Sequence, residues 1–494
     1  MKDSVVGSAV AVMLKTLGLA RLRRRKGEVS WVERLGTRAS LRERLSILST
    51  FSPETAGALD GPPWLRRRRT AAAEAFASAP LPTEKDEVWR YSRIDNIDLG
   101  RFQSVDAFVD TSTDTAVPPS LDRVRALVDG LGPHRGLIVT VNGVLVSVSE
   151  SDDDRLTIGR LTGHDEAEAL LGSIAINPTD FVLLNDAFAA DPVVVDIAAG
   201  ASIEDPVVVV HMVSGPGGDA VFPRTMIRGG VSSVASVIEI VVDADAGGGL
   251  LAGLPLTGSP SAANRSEHLV VPVTELQVAD GAKLSFVSIQ ALGPATWQLA
   301  HQASTIGADA SLHSFAVALG GDYARLRTDS ALTGASGSSK LRAAYIGRDD
   351  QMLDFRTLQD HRAPKTTSDL LFMGAVADRS HSVYSGLIRM RRGAVRSDAM
   401  QTNHNLVLDE GAHADSVPNL DIEENDVRCS HASTVGPVSE DQLYYLESRG
   451  VEPEVAERLI VAGFFDDIAN QVPIVGTRAL IGRALADRTG VHGV

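Results

Sequence analysis

The sequence predicts a mainly β protein with a β-solenoid core and α-helical domains at both ends. Three observations predict it. From about residue 135 to 435 the chain is rich in Val, Ile, Ala, Gly and Asp, poor in aromatics, and without long helical periodicity. Within that region short apolar runs are cut by turns containing Gly or Asp: LIVTVNGVLVSV (Leu137–Val148), PVVVVHMV (Pro206–Val213) and SVASVIEIVV (Ser233–Val242). The turns also recur, with Gly281, Gly307 and Gly334 spaced by 26 and 27 residues, and Gly393, Gly411 and Cys429 following at intervals of 18. Spacings in this range suit one coil of a solenoid, in which each coil covers the edge of its neighbour. A β-sandwich is the alternative, and the long run of small-residue turns with few aromatics favours the solenoid.

At 494 residues the chain is too long for one compact core, which also fits an elongated repetitive architecture. A net charge of −16 supplies no positive field for nucleic acid or an anionic membrane, so neither is an expected partner. One cysteine excludes an intrachain disulfide framework and suits a reducing cytoplasm. The apolar run Val5–Leu14 has ten residues against the roughly 20 of a membrane helix. It ends at Lys15 with no small-residue cleavage site before the basic block Arg21–Lys26, so it reads as neither anchor nor signal peptide.

Residues 1 to 70 carry a net charge of +9, which leaves −25 on the rest. We therefore divide the chain into a basic extension over 1–48, an N-terminal helical domain over 49–134, the β core over 135–436, and a C-terminal helical domain over 437–494. Helical pattern begins at FSPETAGAL, and Trp64–Ala77 after Pro62-Pro63 reads as an Ala-rich helix whose four arginines form a solvated face. Ala246–Glu267 is Gly-rich and reads as a flexible excursion between coils. After Pro437, SEDQ (Ser439–Gln442) has the pattern of a capping box, Gly450 is placed to end that helix, and Pro453 to open the next. Val455, Leu459, Ala462 and Phe465 share an apolar stripe broadened by Phe464, and Thr477–Arg488 supplies a third helix. Such a unit can cap a solenoid, dock a partner, or do both.

Chemistry concentrates in DVRCSHAST, where Cys429 and His431 stand two residues apart. On a strand that spacing puts both side chains on one face, with α-carbons about 7 Å apart. The pair is open to three readings: a nucleophile with its base, two ligands of a metal, or a buried small hydrophobe beside a hydrogen-bonded histidine. A nucleophile also needs an orienting group and an oxyanion hole, and no cysteine-hydrolase signature surrounds Cys429. Zinc sites normally take four ligands and iron–sulfur clusters usually four thiolates, so a metal reading requires a second protein to supply the rest. His361, His381, His404 and His413 cluster in the same region and read individually as hydrogen-bonded structure. Asp415, Asp421, Glu423, Glu424 and Asp426 suggest a rival, a β-helical enzyme acting on carbohydrate or a thiol substrate, although no acid–base pair stands out.

Four segments bear a family resemblance: HRAPKTTSDLLFMGAV (His361–Val376), SVYSGLIRM (Ser382–Met390), TNHNLVLDEGAHADSVPNLDI (Thr402–Ile422) and DVRCSHASTVGPVSEDQLYYLESRG (Asp426–Gly450). Together they resemble the SufB/SufD family of iron–sulfur assembly scaffolds, most densely over 340–470. PLPTEKDEVWRYS, beginning at Pro80, resembles the family's N-terminal Pro-x-x-Lys-x-Glu-x-Trp-(Arg/Lys)-Tyr segment. Within the family the chain resembles the SufD branch, because Cys429-Ser430-His431 stands where SufB has Glu-His-Glu, and Asn403 where SufB has a cysteine. Arg428 replaces the lysine of the SufD pattern and keeps its charge.

The resemblance implies a right-handed parallel β-helix and a non-catalytic scaffold. A SufB-like chain would pair with its core, and SufC-like ABC ATPases would dock on the C-terminal helices, for which Gln442, Tyr445, Phe464 and Phe465 are the candidates by position. The family motif maps onto His431 and Cys429, implying ligands for a transient iron–sulfur cluster at the partner interface, with none held stably by this chain alone. No Walker-type glycine loop is present, so ATP hydrolysis is expected in the partner. Without that partner, the exposed edge of the core is suited to a homodimer.

Overall fold

A computed structural model describes residues 50–104, 124–125, 127–149, 153–175, 179–243 and 267–489. The basic extension over 1–48 and all but the last residue of the Gly-rich excursion lie outside them. The core is a β-solenoid of about seven turns. From Val273–Val278 onward successive strands alternate between two sheets, so each pairs in parallel with the next but one. One sheet runs from Val193–Ile197 through Trp297–Ile306, Tyr323–Leu332, Met352–His361 and His381–Met390 to His413–Ile422. The other runs from Val207–Val213 through Ser311–Ala318, Ser338–Gly347, Thr367–Val376 and Asp398–Val407 to Arg428–Gly436. The early strands, such as Val193–Ile197 and Val207–Val213, are covered on both faces and read as nearly continuous apolar runs, whereas the last two are largely exposed.

In the second sheet Lys283 pairs with Ser311, then Ser338, Thr367, Asp398 and Arg428 in turn, so one coil takes 27 to 31 residues. Gly281, Gly307 and Gly334 occupy one row of corners, as their spacing predicts. The corners stack so closely that a Cβ on Gly334 would lie 1.9 Å from the Ala308 nitrogen. The 18-residue interval is not a coil. Gly393 and Gly411 sit in opposite corners and Cys429 lies within a strand, so the expectation joined unlike positions. LIVTVNGVLVSV, expected as one strand, is a hairpin: Gly136–Val141 and Val144–Val148 pair antiparallel about Asn142 and Gly143, both at positive φ.

The two ends of the solenoid differ. At the start, the hairpin and the antiparallel strand Leu156–Arg160 lie at the edges. At the finish, His413–Ile422 and Arg428–Gly436 each have a strand on one side only among the described residues. The interior changes along the same axis. The early coils are filled by residues such as Val209, Val237, Leu284 and Phe286. The last coils bury polar groups: Tyr345 donates to Asn405 at 2.7 Å, Asn403 donates to Tyr345 at 3.1 Å, and Thr357 meets Tyr384 at 3.1 Å.

The C-terminal helices Glu440–Ser448, Pro453–Ala469 and Val475–Thr489 pack on the outer face of the second sheet, where Val461, Phe465, Ile468 and Leu485 meet Ile346, Met373 and Ala375. They leave the last edges uncovered. Gly450 has φ +86° just beyond the first helix, and Pro453 opens the second. Ser439 is the N-cap but makes no capping bond, contrary to the capping-box expectation; the first turn is exposed, and Glu440 and Asp441 complement its positive end. The buried face of the second helix is Ala456, Val461, Phe465 and Ile468, while Val455, Leu459 and Ala462 are only half-buried.

Helices Pro53–Ala58 and Pro63–Ser78 form where the N-terminal helical pattern placed them. The arginine face is not wholly solvated. Arg66 and Arg67 are exposed, but Arg69 is fully buried, donating to the carbonyls of Asp60, Ala189 and Ala190, because those carbonyls would otherwise lack partners. Burial brings its pKa down to about 10, against the opposing pull of Asp191 and Asp60. PLPTEKDEVWRYS makes one short 3-10 turn, Glu87–Trp89, on the outer face of the first sheet, where the Arg325 guanidinium lies 3.7 Å from the centre of the Trp89 ring. Among the described residues no helix is long and apolar enough to cross a membrane.

Candidate functional site at the open end of the solenoid

Arg428–Gly436 is the final strand, paired in register with Asp398–Val407 so that Cys429 stacks on Ala399 and His431 on Gln401. Gln401 is wholly buried beside Tyr384 in the interior, so the row it shares with His431 faces inward. Among the described residues no further coil lies above that row. Cys429 and His431 therefore open on the uncovered mouth of the solenoid.

Their environments differ. Cys429 is half-buried among Ile388, Met390, Ala399 and Val427. Burial, helped by the Asp398 charge, pushes its thiol up to about 11, so it is protonated near neutrality. That argues against a ready nucleophile, since the neighbouring charge is negative. His431 is exposed and has no hydrogen-bond partner among the described residues, so its ring is free to bind. Beneath it both polar atoms of the Gln401 amide are buried without a partner, as are those of Gln359. Buried amides are rarely left so; Gln401 lies one coil beneath His431, and Gln359 lies deeper, covered in register by Ile388 and Leu420.

The neighbouring position that sets this chain apart from the SufB pattern is also explained. Asn403 is buried and donates to Tyr345 and to the Phe372 carbonyl, while accepting from Asn405 at 2.8 Å. It is part of the polar interior. Of the other histidines, His361 is buried between Thr366 at 2.7 Å and Ser368 at 2.8 Å, and burial brings its pKa down to about 4. The acidic row does not form an acid–base pair: Asp421 is held by Arg389 at 2.8 Å and Glu424 accepts the Gly393 amide. The hydrolase alternative finds no support.

Of the helical candidates, Gln442, Tyr445 and Phe464 line one groove with Leu406, Leu446 and Ile460. Phe465 turns into the core instead, packed edge-on against Phe464 at 5.2 Å. Sequence reasoning missed the grouping of His381, His413 and Asp415, which in-register stacking alone brings together.

Residues 211–464 match the family model of the SUF system FeS cluster assembly SufBD core domain. An iron–sulfur cluster assembly SufBD family protein of Mycobacterium tuberculosis is 37% identical over 219 residues, covering 43% of this chain and 55% of that protein, so the match spans about half of that relative. The iron–sulfur cluster assembly protein SufD of Escherichia coli is 25% identical over 387 residues, 78% of this chain and 84% of that one. SufD of Bacillus subtilis is 24% identical over 458 residues, covering 90% and 97%. With a family match across half the chain, laid on the coils that carry Cys429 and His431, this protein belongs to the SufBD core family of SUF-system iron–sulfur cluster assembly proteins.

Proposed function

We propose that the chain is a SufD-like scaffold subunit for iron–sulfur cluster assembly, not itself catalytic, working in a reducing compartment. Its open last coil pairs with a second β-solenoid of the SufB kind, and His431 and Cys429 face that interface as ligands of a cluster that forms there and then leaves. The observation that carries this reading is the uncovered end. Two strands offer unpaired backbone groups, and the inward row between them ends in an unpartnered imidazole and a thiol. Two protein ligands are too few to hold a cluster, and a partner strand laid on the same edge is placed to supply the others.

ATP hydrolysis belongs in this reading to an ABC-type ATPase bound in the helical groove. Tyr445 is exposed there beside Gln442 and the partly buried Phe464. Co-expression of this chain with SufB-like and SufC-like partners tests it. The three should co-elute, and Tyr445→Ala should weaken retention of the ATPase about tenfold or more, as loss of an aromatic anchor does, while pairing with the SufB-like chain persists. Co-elution of the ATPase unchanged by Tyr445→Ala would move its docking site elsewhere.

A further inference from the structure

The outer face of the first sheet carries a group that the cluster site does not use. His381 and His413 are register partners on the last two strands of that sheet, with ring centres 5.1 Å apart, and Asp415 follows two residues after His413. The Asp415 carboxylate faces both rings: one oxygen lies 2.8 Å from Nε2 of His381 and the other 3.5 Å from Nε2 of His413. One ligand atom from each residue lies within 4.8 Å of the other two. We propose that His381, His413 and Asp415 bind one divalent first-row transition-metal ion, taken up as the hydrated cation.

The geometry is close to that of a coordination shell. With metal–ligand bonds of about 2.0–2.2 Å, ligand atoms in one shell lie roughly 3 to 3.5 Å apart, so three groups already within 4.8 Å of one another need only a small contraction to surround an ion. Two imidazoles and one carboxylate suit zinc, iron(II), cobalt(II) or nickel(II), and lack the oxygen-rich shell preferred by magnesium or calcium. Three protein ligands leave positions for water or for a group from outside. Access is open, because His413 is exposed on the edge strand while His381 and Asp415 are partly buried beneath it.

The surroundings are mixed in charge. Burial is the main cause that lowers the His381 pKa; Asp415 opposes it, and His413 and Arg93 add to it. Arg93 disfavours a cation, but it is engaged with Asp322 at 3.5 Å and with the Asp350 carbonyl. A hydrogen-bonded His–Asp–His chain is the competing account of the same contacts. The site is separate from Cys429 and His431, since it lies on the outer face at the start of His413–Ile422, whereas they lie on the inward row of the other sheet, beyond that strand's end.

The purified full chain, stripped of metal and without partners, is titrated with cobalt(II) and followed by visible absorption. Equilibrium dialysis against zinc(II), and against iron(II) without oxygen, counts the ions. One ion per chain should bind at micromolar metal. Asp415→Asn and His413→Ala should each weaken binding more than about a hundredfold, beyond the roughly 10–100-fold that loss of an outer contact costs, while a Cys429→Ser, His431→Ala double variant binds as wild type. His413 is exposed, so its removal leaves the fold intact even if Asp415→Asn does not. Absence of binding by wild type, binding unchanged by His413→Ala, or binding lost only in the Cys429, His431 variant would each overturn the proposal. The measurement needs no partner and no cluster, so its outcome is independent of the scaffold reading.

Discussion

Alkylation of Cys429 by iodoacetamide is expected to be slow at pH 7 and to accelerate about tenfold per pH unit until close to pH 11. Burial raises the thiol pKa to about 11 and the Asp398 carboxylate adds to it. Only about one thiol in ten thousand is then ionised at pH 7, against roughly 3% for an ordinary cysteine. The rarer thiolate is about tenfold more nucleophilic, so the net rate should fall roughly 30-fold below that of an exposed thiol. Asp398→Asn should speed the reaction by removing the repelling charge. A rate that levels off below pH 9 would show a thiolate stabilised by a group we have not identified. The functional consequence is that ligation by Cys429 must release a proton to solvent or to a base, which an incoming cation promotes.

Replacement of Glu275 by alanine should destabilise the protein by about 3 to 5 kcal/mol, because it strands backbone N–H groups at a buried site and leaves Arg224 with only one of its two carboxylates. Glu275 is completely buried, ion-paired with Arg224, and accepts the backbone N–H groups of Gly172, Ile174 and Ala175 at 2.8 to 3.0 Å. Arg224 also meets Asp186 at 2.9 Å and Asn185 at 3.1 Å on the helix Asp180–Phe188, so the cluster fastens that helix and the segment before it to the first coils. Burial opposes ionisation of Glu275, but Arg224 and the amides outweigh it and hold its pKa below the usual carboxylate value. A depressed carboxylate pKa contributes stability above the unfolded value, about 4.3, and that contribution is lost as pH falls through the folded one. Urea unfolding at pH 7 measures the effect. A loss below about 1 kcal/mol would mean that the cluster is not closed as described.

The solenoid was legible because apolar runs and small-residue corners recur, yet the length of its coil was only half legible. Corners need one residue in the left-handed region, and here Ser232, Gly281, Asp309, Ser336, Lys365 and Arg396 all serve, with φ between 53° and 69°. A position filled by five residue types leaves no glycine pattern to follow, which is why an 18-residue interval looked like a repeat. Cys429 and His431 could be placed on one face from their spacing alone. That they stand on the last coil, at an end the helices leave open, depends on where those helices pack. Arg69 and the His381, His413 and Asp415 group were invisible for a related reason: Arg69 reaches carbonyls 120 and 121 residues along the chain, and His381 stands 34 residues from Asp415.

The central claim is that the open end of this chain completes a cluster site shared with a partner. It is tested by purifying the complex with its SufB-like and SufC-like partners without oxygen, from wild type and His431→Ala, and measuring iron, acid-labile sulfide and visible absorption per complex. We predict that His431→Ala leaves the complex assembled and removes most of the iron, the sulfide and the cluster absorption. An assembled variant with the wild-type cluster content would contradict the claim and leave His431 a bystander at an architectural interface.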